Sequence, residues 1–163
     1  EEDIELVKLA GIVHDVGKIG VPEAVLTKNG RLTDEEFNLI RQHPEIGHRI
    51  LGGIPPLAPV LPAVLHHHER FDGRGYPHGL AGKDIPVFAR IIAIADTFDA
   101  MSSTRAYRAA MPREHVLREL SRSAGTQLDP EMVSEFVRME FSGYDALIRA
   151  NSSGELVSST VTP

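Results

Sequence analysis

Hydrophobic residues recur at helical spacing along most of this chain. In the opening segment, Ile4, Val7 and Ala10 fall on one helical face, and the pattern continues to His14. The widest apolar stripe follows Pro86, in the sequence VFARIIAIADTFDAMS. The alternation that is typical of strands occurs only weakly, in IIAIA, and there it lies inside the helical stripe. The pattern therefore predicts an all-α fold without a significant sheet.

Capping residues and prolines indicate where individual helices begin. Thr33 and Glu36 form a T-x-x-E capping box, which predicts a helix that starts just after Thr33. Pro44 is expected to kink or restart that helix. Asp129 followed by Pro130 is a typical helix start. Further helices are predicted in PAVLHHHER and PREHVLRELSRSAG, and PEMVSEFVRMEF is the last helix that the pattern supports.

Length and composition limit the organisation of the chain. Its 163 residues suffice for one domain with its own core. We expect residues 1–149 to form that domain and residues 150–163, which are polar, to form a C-terminal tail. No apolar run is long enough to cross a bilayer, and no signal peptide is recognisable.

Cysteine content and net charge narrow the chemistry. Cysteine is absent, which excludes disulfides and thiolate metal sites, so any metal ion must be held by His, Asp or Glu. The absence of cysteine also fits a reducing compartment, and we expect a cytoplasmic location. The net charge of −6 argues against non-specific binding to DNA.

The segment from His66 to Pro77, HHHERFDGRGYP, joins imidazole side chains to a glycine-rich loop. Three consecutive histidines on a helix cannot all face one way, so two can flank a pair of metal ions while the third points elsewhere. A solvated polar face is the alternative. His14 and Asp15 add an imidazole and a carboxylate that can bridge two ions, although a helix-end cap would also explain them.

Charged residues near the longest apolar helix offer further candidates. Asp96 and Asp99 lie three residues apart, and a buried carboxylate is costly unless it is paired or binds a metal. Arg105 and Arg108 are either their salt-bridge partners or a phosphate grip. Lys18 is either an ordinary lysine at a helix end or a cation aimed at the same pocket. Imidazole and carboxylate ligands favour Fe, Mn or Zn, and two such ions suit a phosphoester hydrolase.

Three stretches resemble the HD-GYP family in the expected order: HDVGKIGVPEAVLTKNGRLTDEEF, HPEIGHRIL and HHERFDGRGYPHGLAGKDIPVFARIIAIADTFDAMSSTRAYR. That family is a subgroup of the HD phosphohydrolases that degrade cyclic di-GMP in bacteria. The resemblance implies an all-α helical bundle of the HD superfamily. It also implies a metal-dependent phosphodiesterase that hydrolyses cyclic di-GMP to pGpG and on to GMP. Such domains are outputs of signalling proteins, including two-component response regulators.

The resemblance further implies a set of site residues. The implied metal ligands are His14, Asp15, His43, His67, His68 and Asp96. They would hold two or three divalent ions, with iron or manganese expected and zinc, magnesium, nickel or cobalt as alternatives. The implied catalytic residues are Asp15 and Lys18. The implied substrate contacts are Lys18, Tyr76, Pro77, Arg105 and Arg108. Gly73 and Gly75 are implied to shape the loop, and His66 is expected to stay outside the ligand set.

The resemblance also bears on partners and alternatives. The GYP loop of this family is implicated in docking to GGDEF-type cyclase domains. We also expect an upstream sensor or receiver domain in the full protein. A homodimer is compatible with these two expectations. The family's helices before the HD helix carry a further His ligand, and we expect them to be missing here. A catalytically impaired module that binds cyclic di-GMP or a GGDEF-type partner is therefore one alternative. An enzyme that acts on cyclic GMP-AMP is another.

Overall fold

The computed structural model describes residues 1–103 and 110–152, and these residues form a bundle of helices. The α-helices are α1 (Glu2–Val13), α2 (Glu23–Leu26), α3 (Asp34–Arg41), α4 (His43–Leu51), α5 (Leu61–His66), α6 (Val87–Ser102), α7 (Arg113–Ser123), α8 (Pro130–Phe136) and α9 (Ser142–Ser152). Short 3₁₀ helices span Val16–Gly20, Pro55–Val60 and Gly82–Asp84. No strand forms within the described ranges, which confirms the all-α prediction. None of the helices there has both the length and the apolar character that a membrane crossing requires.

The predicted helix starts are present. Thr33 Oγ1 accepts a hydrogen bond from the backbone N–H of Glu36 at 3.3 Å, and the Glu36 carboxylate accepts one from the Thr33 N–H at 2.7 Å. The next helix, α4, restarts at His43 with Pro44 in its first turn. The Asp129 carboxylate accepts from two backbone N–H groups of α8, so it caps this helix as predicted.

The C-terminal helices differ from the prediction. The last predicted helix was expected to run through PEMVSEFVRMEF, but α8 ends at Phe136, and α9 follows as a separate helix. Long-range contacts hold α9 in place. Arg113 of α7 donates to the Asp145 carboxylate, and the ring of Tyr144 lies edge-on to Phe98 of α6 at 5.3 Å. Local periodicity does not encode such contacts, which explains why this helix was not predicted.

Helix α6 lies between two hydrophobic clusters and contributes to both. One cluster consists of Ile94, Phe98, Val116, Leu120, Leu128 and Val133. The other consists of Ala10, Val60, Ala63 and Ile92. Since full burial of one large aliphatic or aromatic side chain stabilises a fold by about 1.5–3 kcal/mol, these clusters fix the position of α6. The helix thereby positions Asp96, which it also carries.

The 3₁₀ helix Val16–Gly20 lies directly against α4. A Cβ atom on Gly17 would lie 1.9 Å from the carbonyl oxygen of His43 and 2.5 Å from the backbone nitrogen of Gly47. No side chain fits at this position, so glycine is required for the close approach of the two backbones. This contact places Asp15, just before the 3₁₀ helix, beside His43 at the start of α4.

Candidate metal centre

Four side chains from separate parts of the chain bring their ligand atoms together. Asp15, His43, His67 and His68 each offer one such atom, and all four lie within 4.8 Å of one another. The Nε2 atoms of His43 and His67 are 3.2 Å apart. Asp15 Oδ1 lies 3.2 Å from the first of these nitrogens and 3.9 Å from the second. An oxygen and several imidazole nitrogens that converge in this way can coordinate a divalent transition metal.

Backbone carbonyls orient two of the imidazoles. His43 Nδ1 donates to the carbonyl of Ile40 at 2.6 Å, and His67 Nδ1 donates to the carbonyl of Val64 at 2.8 Å. Because a carbonyl accepts the hydrogen bond from Nδ1 of each ring, Nε2 of each ring points into the cluster, where it can act as a metal ligand. His43 is fully buried and His67 is 2 % exposed, so neither ring can turn toward solvent.

His14 borders this group of ligand atoms. Its Nδ1 donates to the Gly11 carbonyl at 2.7 Å, and its Nε2 lies 3.4 Å from Asp15 Oδ2. The same Nε2 and Asp15 Oδ1 are buried without a hydrogen-bond partner in the described part of the chain. Buried polar atoms usually have partners, so these two atoms fit a site that receives a cation.

The protonation states suit metal binding. Burial, reinforced by neighbouring histidines, lowers the pKa of His67 to about 2 and that of His68 to about 3, so both rings are neutral. Burial raises the pKa of Asp15, but the contacts with His43 and Lys18 outweigh it and hold this pKa well below its ordinary value. Lys18 Nζ lies 2.5 Å from Asp15 Oδ2. Neutral imidazoles and an ionised carboxylate are the forms in which these side chains bind metal ions.

Asp96 lies on α6 beside the same centre. It lines, with His67 and His68, a cavity of about 500 Å³, although its carboxylate is not one of the four clustered ligand atoms. Asp99 lies one turn further along, is exposed and accepts a hydrogen bond from Ser103 Oγ at 3.1 Å. Of the two aspartates that the sequence pattern paired, Asp96 therefore borders the cavity and Asp99 does not.

An aromatic ring covers one side of the centre. The Tyr76 ring stacks on His68 with centroids 4.9 Å apart and an interplanar angle of 26°. The guanidinium carbon of Arg41 lies 4.9 Å from the centroid of the same Tyr76 ring. Burial raises the pKa of Tyr76 to about 12, so its hydroxyl stays protonated. No sequence pattern indicated Arg41, because this residue contacts Tyr76 only through the tertiary fold.

The glycine-rich loop approaches the helix end closely. Gly73 has φ of +78°, a conformation that L side chains rarely adopt. A Cβ atom on Gly75 would lie 2.3 Å from the backbone nitrogen of Arg70 and 2.5 Å from Glu69 Cα. Pro77 follows a cis peptide bond after Tyr76. A side chain would be strained at Gly73 and would collide with backbone at Gly75, and the loop-shaping role of both glycines stays a prediction.

The remaining predicted residues fall elsewhere. Arg105 and Arg108 lie outside the described residues, so their predicted substrate contacts stay predictions. His66 does not belong to the four-residue group and instead lies with Glu69 and His78. The metal-ligand and catalytic roles implied for the other residues also stay predictions, although their positions around one point are compatible with them.

The chain is similar to known proteins over most of its length. A family model described as HD domain matches residues 1–132. The chain is 42% identical over 140 residues to a Xanthomonas campestris protein named cyclic di-GMP phosphodiesterase response regulator RpfG. It is 40% identical over 122 residues to a Vibrio cholerae protein named 3′3′-cGAMP-specific phosphodiesterase 3. These matches cover 85% and 75% of this chain.

A solved structure shares the fold. The crystal structure of a cyclic GMP-AMP specific phosphodiesterase from Vibrio cholerae aligns with a TM-score of 0.61 and 16% sequence identity, covering 91% of this chain and 39% of that one. The chain spans 37% of the length of the Xanthomonas relative and 26% of the length of the Vibrio relative. The relatives therefore contain much that has no counterpart in this sequence.

Proposed function

This chain belongs to the HD domain family, and we propose that it is a metal-dependent phosphodiesterase that hydrolyses cyclic di-GMP. The observation that carries the proposal is the convergence of Asp15, His43, His67 and His68 within 4.8 Å, beside a cavity of about 500 Å³. That volume is within the usual range for small-molecule sites. The matches to cyclic dinucleotide phosphodiesterases confirm the HD-GYP resemblance of the sequence and agree with this proposal.

The proposed metal ligands are Asp15, His43, His67 and His68, with His14 and Asp96 at the border of the group. Oxygen and imidazole ligands favour iron or manganese, with zinc, magnesium, nickel and cobalt as alternatives, and two or three ions are proposed. When bound, such ions polarise a phosphate oxygen and lower the pKa of water. His14 Nε2 and Asp15 Oδ1, which are buried without hydrogen bonds in the described chain, support this assignment.

The chain's own residues would bind and orient the substrate. The Lys18 side chain is 41% exposed, so its ammonium can leave Asp15 and approach a phosphate oxygen. The Tyr76 ring stacks on His68 and lies close to the Arg41 guanidinium. Together with Pro77, this ring would contact the substrate beside the cavity. We propose Arg105 and Arg108 as further phosphate or base contacts, because they follow the cavity-lining end of α6 in the sequence.

A second substrate is supported by one specific observation. The identity of 40% to the Vibrio protein named for 3′3′-cGAMP is close to the 42% found for the Xanthomonas protein named for cyclic di-GMP. Both substrates carry two 3′–5′ phosphodiester linkages in one ring. Cyclic GMP-AMP is therefore the second candidate substrate.

A product assay tests the proposal. The protein would be loaded anaerobically with Fe²⁺ or Mn²⁺, incubated with cyclic di-GMP or 3′3′-cyclic GMP-AMP, and analysed by chromatography. We expect pGpG or GMP from cyclic di-GMP. Faster hydrolysis of cyclic GMP-AMP would favour the second substrate. If folded, metal-loaded protein released neither product, that result would contradict the proposed phosphodiesterase activity and would favour a module that only binds its ligand.

We also propose partners and a setting for this reaction. The glycine-rich loop that ends in Tyr76 and Pro77 is followed directly by the exposed His78, which is compatible with docking of a GGDEF-type cyclase domain there. A sensor or receiver domain would regulate the phosphodiesterase, as the name of the Xanthomonas relative suggests. A cytoplasmic location and a homodimer are further proposals, the first supported by the absence of cysteine from the sequence.

A further inference from the structure

A second group of potential metal ligands includes His66, the first residue of the histidine triplet. One ligand atom each from His66, Glu69 and His78 lies within 4.8 Å of the other two. We propose that these three side chains form a separate binding site for a zinc ion or a similar divalent transition metal. The site shares no ligand with the group around Asp15.

Glu69 is the member of this group whose carboxylate would be stabilised most by a bound cation. It is 3% exposed, and its Oε2 is buried without a hydrogen-bond partner in the described structure. Its Oε1 accepts a hydrogen bond from the backbone N–H of His78 at 2.7 Å. Among the described residues no lysine or arginine forms an ion pair with Glu69, and its one recorded ion-pair partner is His66. A buried carboxylate is costly unless it is paired or bound to a metal, so a divalent cation would satisfy the free oxygen.

The two imidazoles complete a ligand set of a known type. His66 is the last residue of α5, and its buried Nδ1 also lacks a hydrogen-bond partner, at 3.5 Å from Glu69 Oε1. The ring of His78 lies 5.2 Å from that of His66, measured between centroids, and His78 is exposed. Two histidines and one glutamate hold zinc in several proteins and leave a fourth position for water. The exposed His78 provides the entry path for the ion.

The backbone keeps these ligands close without the metal. Neighbouring residues on a helix point about 100° apart, so the side chains of His66 and His67 point in different directions at the end of α5. Gly75 passes so close to Glu69 that a Cβ atom there would lie 2.5 Å from Glu69 Cα. The loop between Glu69 and His78 therefore folds back over its own start. A bound ion would tie the end of this loop to the end of α5.

Zinc stoichiometry tests the proposal without any measurement of turnover. The protein, His78→Ala and His115→Ala would be dialysed against buffered Zn²⁺, and bound zinc would be counted by mass spectrometry. His115 is an exposed histidine on α7, outside both groups, and serves as the matched control. We expect His78→Ala to lose about one zinc ion per chain, because one of three ligands is gone, and His115→Ala to lose none. Equal zinc content and affinity in the unchanged protein and in His78→Ala would overturn the proposal.

Variants that also carry Asp15→Ala distinguish zinc bound by one group of ligands from zinc bound by the other. Asp15→Ala should weaken zinc binding at the group around Asp15, so the zinc that this variant retains at low free concentration should be held by His66, Glu69 and His78. Adding His78→Ala to Asp15→Ala should raise the Kd for that zinc by about tenfold or more, whereas adding His115→Ala should leave it unchanged. Circular dichroism checks that each variant is folded. Retained zinc whose Kd does not respond to His78→Ala would contradict the site.

Discussion

The Nε2 atom of His43 lies 3.2 Å from Oδ1 of Asp15, although the two residues belong to different helical segments. This approach depends on Gly17, whose missing side chain lets the 3₁₀ helix after Asp15 lie against the first turn of α4. The ligand atoms therefore meet because two backbones are in contact. A site built on such a contact is rigid before any ion binds, which favours metal affinity.

Gly17→Ala should destabilise the protein. The added Cβ would overlap the His43 carbonyl oxygen at 1.9 Å, and backbone cannot move aside as a flexible side chain can. We expect a loss of about 1–3 kcal/mol in the free energy of unfolding, together with weaker metal binding. Urea denaturation measures the first effect and metal titration the second.

Gly11→Ala is the matched control for this substitution. Gly11 lies within α1, and nothing is found within 4 Å of a Cβ atom built there. Alanine should stabilise the helix by about 1 kcal/mol, since it has the higher helix propensity. If Gly17→Ala proved as stable as Gly11→Ala, that result would contradict the close contact described between the 3₁₀ helix and α4.

Asp129→Asn should reduce stability at neutral pH. Asp129 is 2% exposed, caps α8 and accepts a hydrogen bond from Arg90 Nη1 at 2.6 Å. The neutral amide leaves the largely buried guanidinium of Arg90 without its partner charge. We expect a loss of about 3 kcal/mol, measured by urea denaturation at neutral pH.

The effect of Asp129→Asn should depend on pH. Burial raises the pKa of Asp129, but Arg90 and the N–H groups of Met132 and Glu131 lower it, and the net shift is downward. A lowered folded-state pKa means that the stabilisation is complete above the unfolded value of about 3.9 and is lost as pH falls through the folded value. The difference between the unchanged protein and Asp129→Asn should therefore shrink in acid. Asp84→Asn, at an exposed position, is the control and should change the free energy of unfolding by no more than about 0.5 kcal/mol at neutral pH.

Substitution of Tyr76 should separate the role of its ring from that of its hydroxyl. The ring stacks on His68 and receives the Arg41 guanidinium, whereas neither contact involves the hydroxyl. Tyr76→Phe should retain turnover. Tyr76→Ala should raise KM by about fivefold, the equivalent of about 1 kcal/mol, because an aromatic contact of this kind contributes that much. Steady-state kinetics on both variants decides this, and an unchanged KM in Tyr76→Ala would exclude the ring from substrate binding.

Arg105→Ala and Arg108→Ala should mainly weaken substrate binding. A guanidinium that contacts phosphate in both the bound substrate and the transition state affects KM more than kcat. We expect KM to rise at least about tenfold for each variant, with metal content unchanged. A fall in kcat at constant KM would contradict the proposed grip on the substrate.

Local patterns predicted much of the fold but less of the site. Helical spacing and capping residues identified the starts of α3, α4 and α8, because these signals depend on neighbouring residues. His43 entered the proposed ligand set only through the family resemblance, since no spacing rule connects it to Asp15. Helix α9 and the contact of Arg41 with Tyr76 depend on packing between distant segments, so no local pattern could have indicated them.

The two groups of histidines show the same limit. The triplet predicted that one ring would point away from the other two, and the structure places His66 with Glu69 and His78. The i to i+3 spacing of His66 and Glu69 was visible in the sequence. The third member, His78, joins them only because the loop folds back over Glu69.

Metal-dependent turnover tests the central claim most directly. The rate of cyclic di-GMP hydrolysis would be measured under anaerobic conditions as Mn²⁺ or Fe²⁺ is added to metal-free protein, to Asp15→Ala and to the control His115→Ala. We predict that the rate rises with metal in the unchanged protein and in His115→Ala. Asp15→Ala should keep its helices, bind less metal and show no turnover, because it lacks the carboxylate that lies among the imidazoles. Turnover by Asp15→Ala at the rate of the unchanged protein would contradict the proposed metal centre.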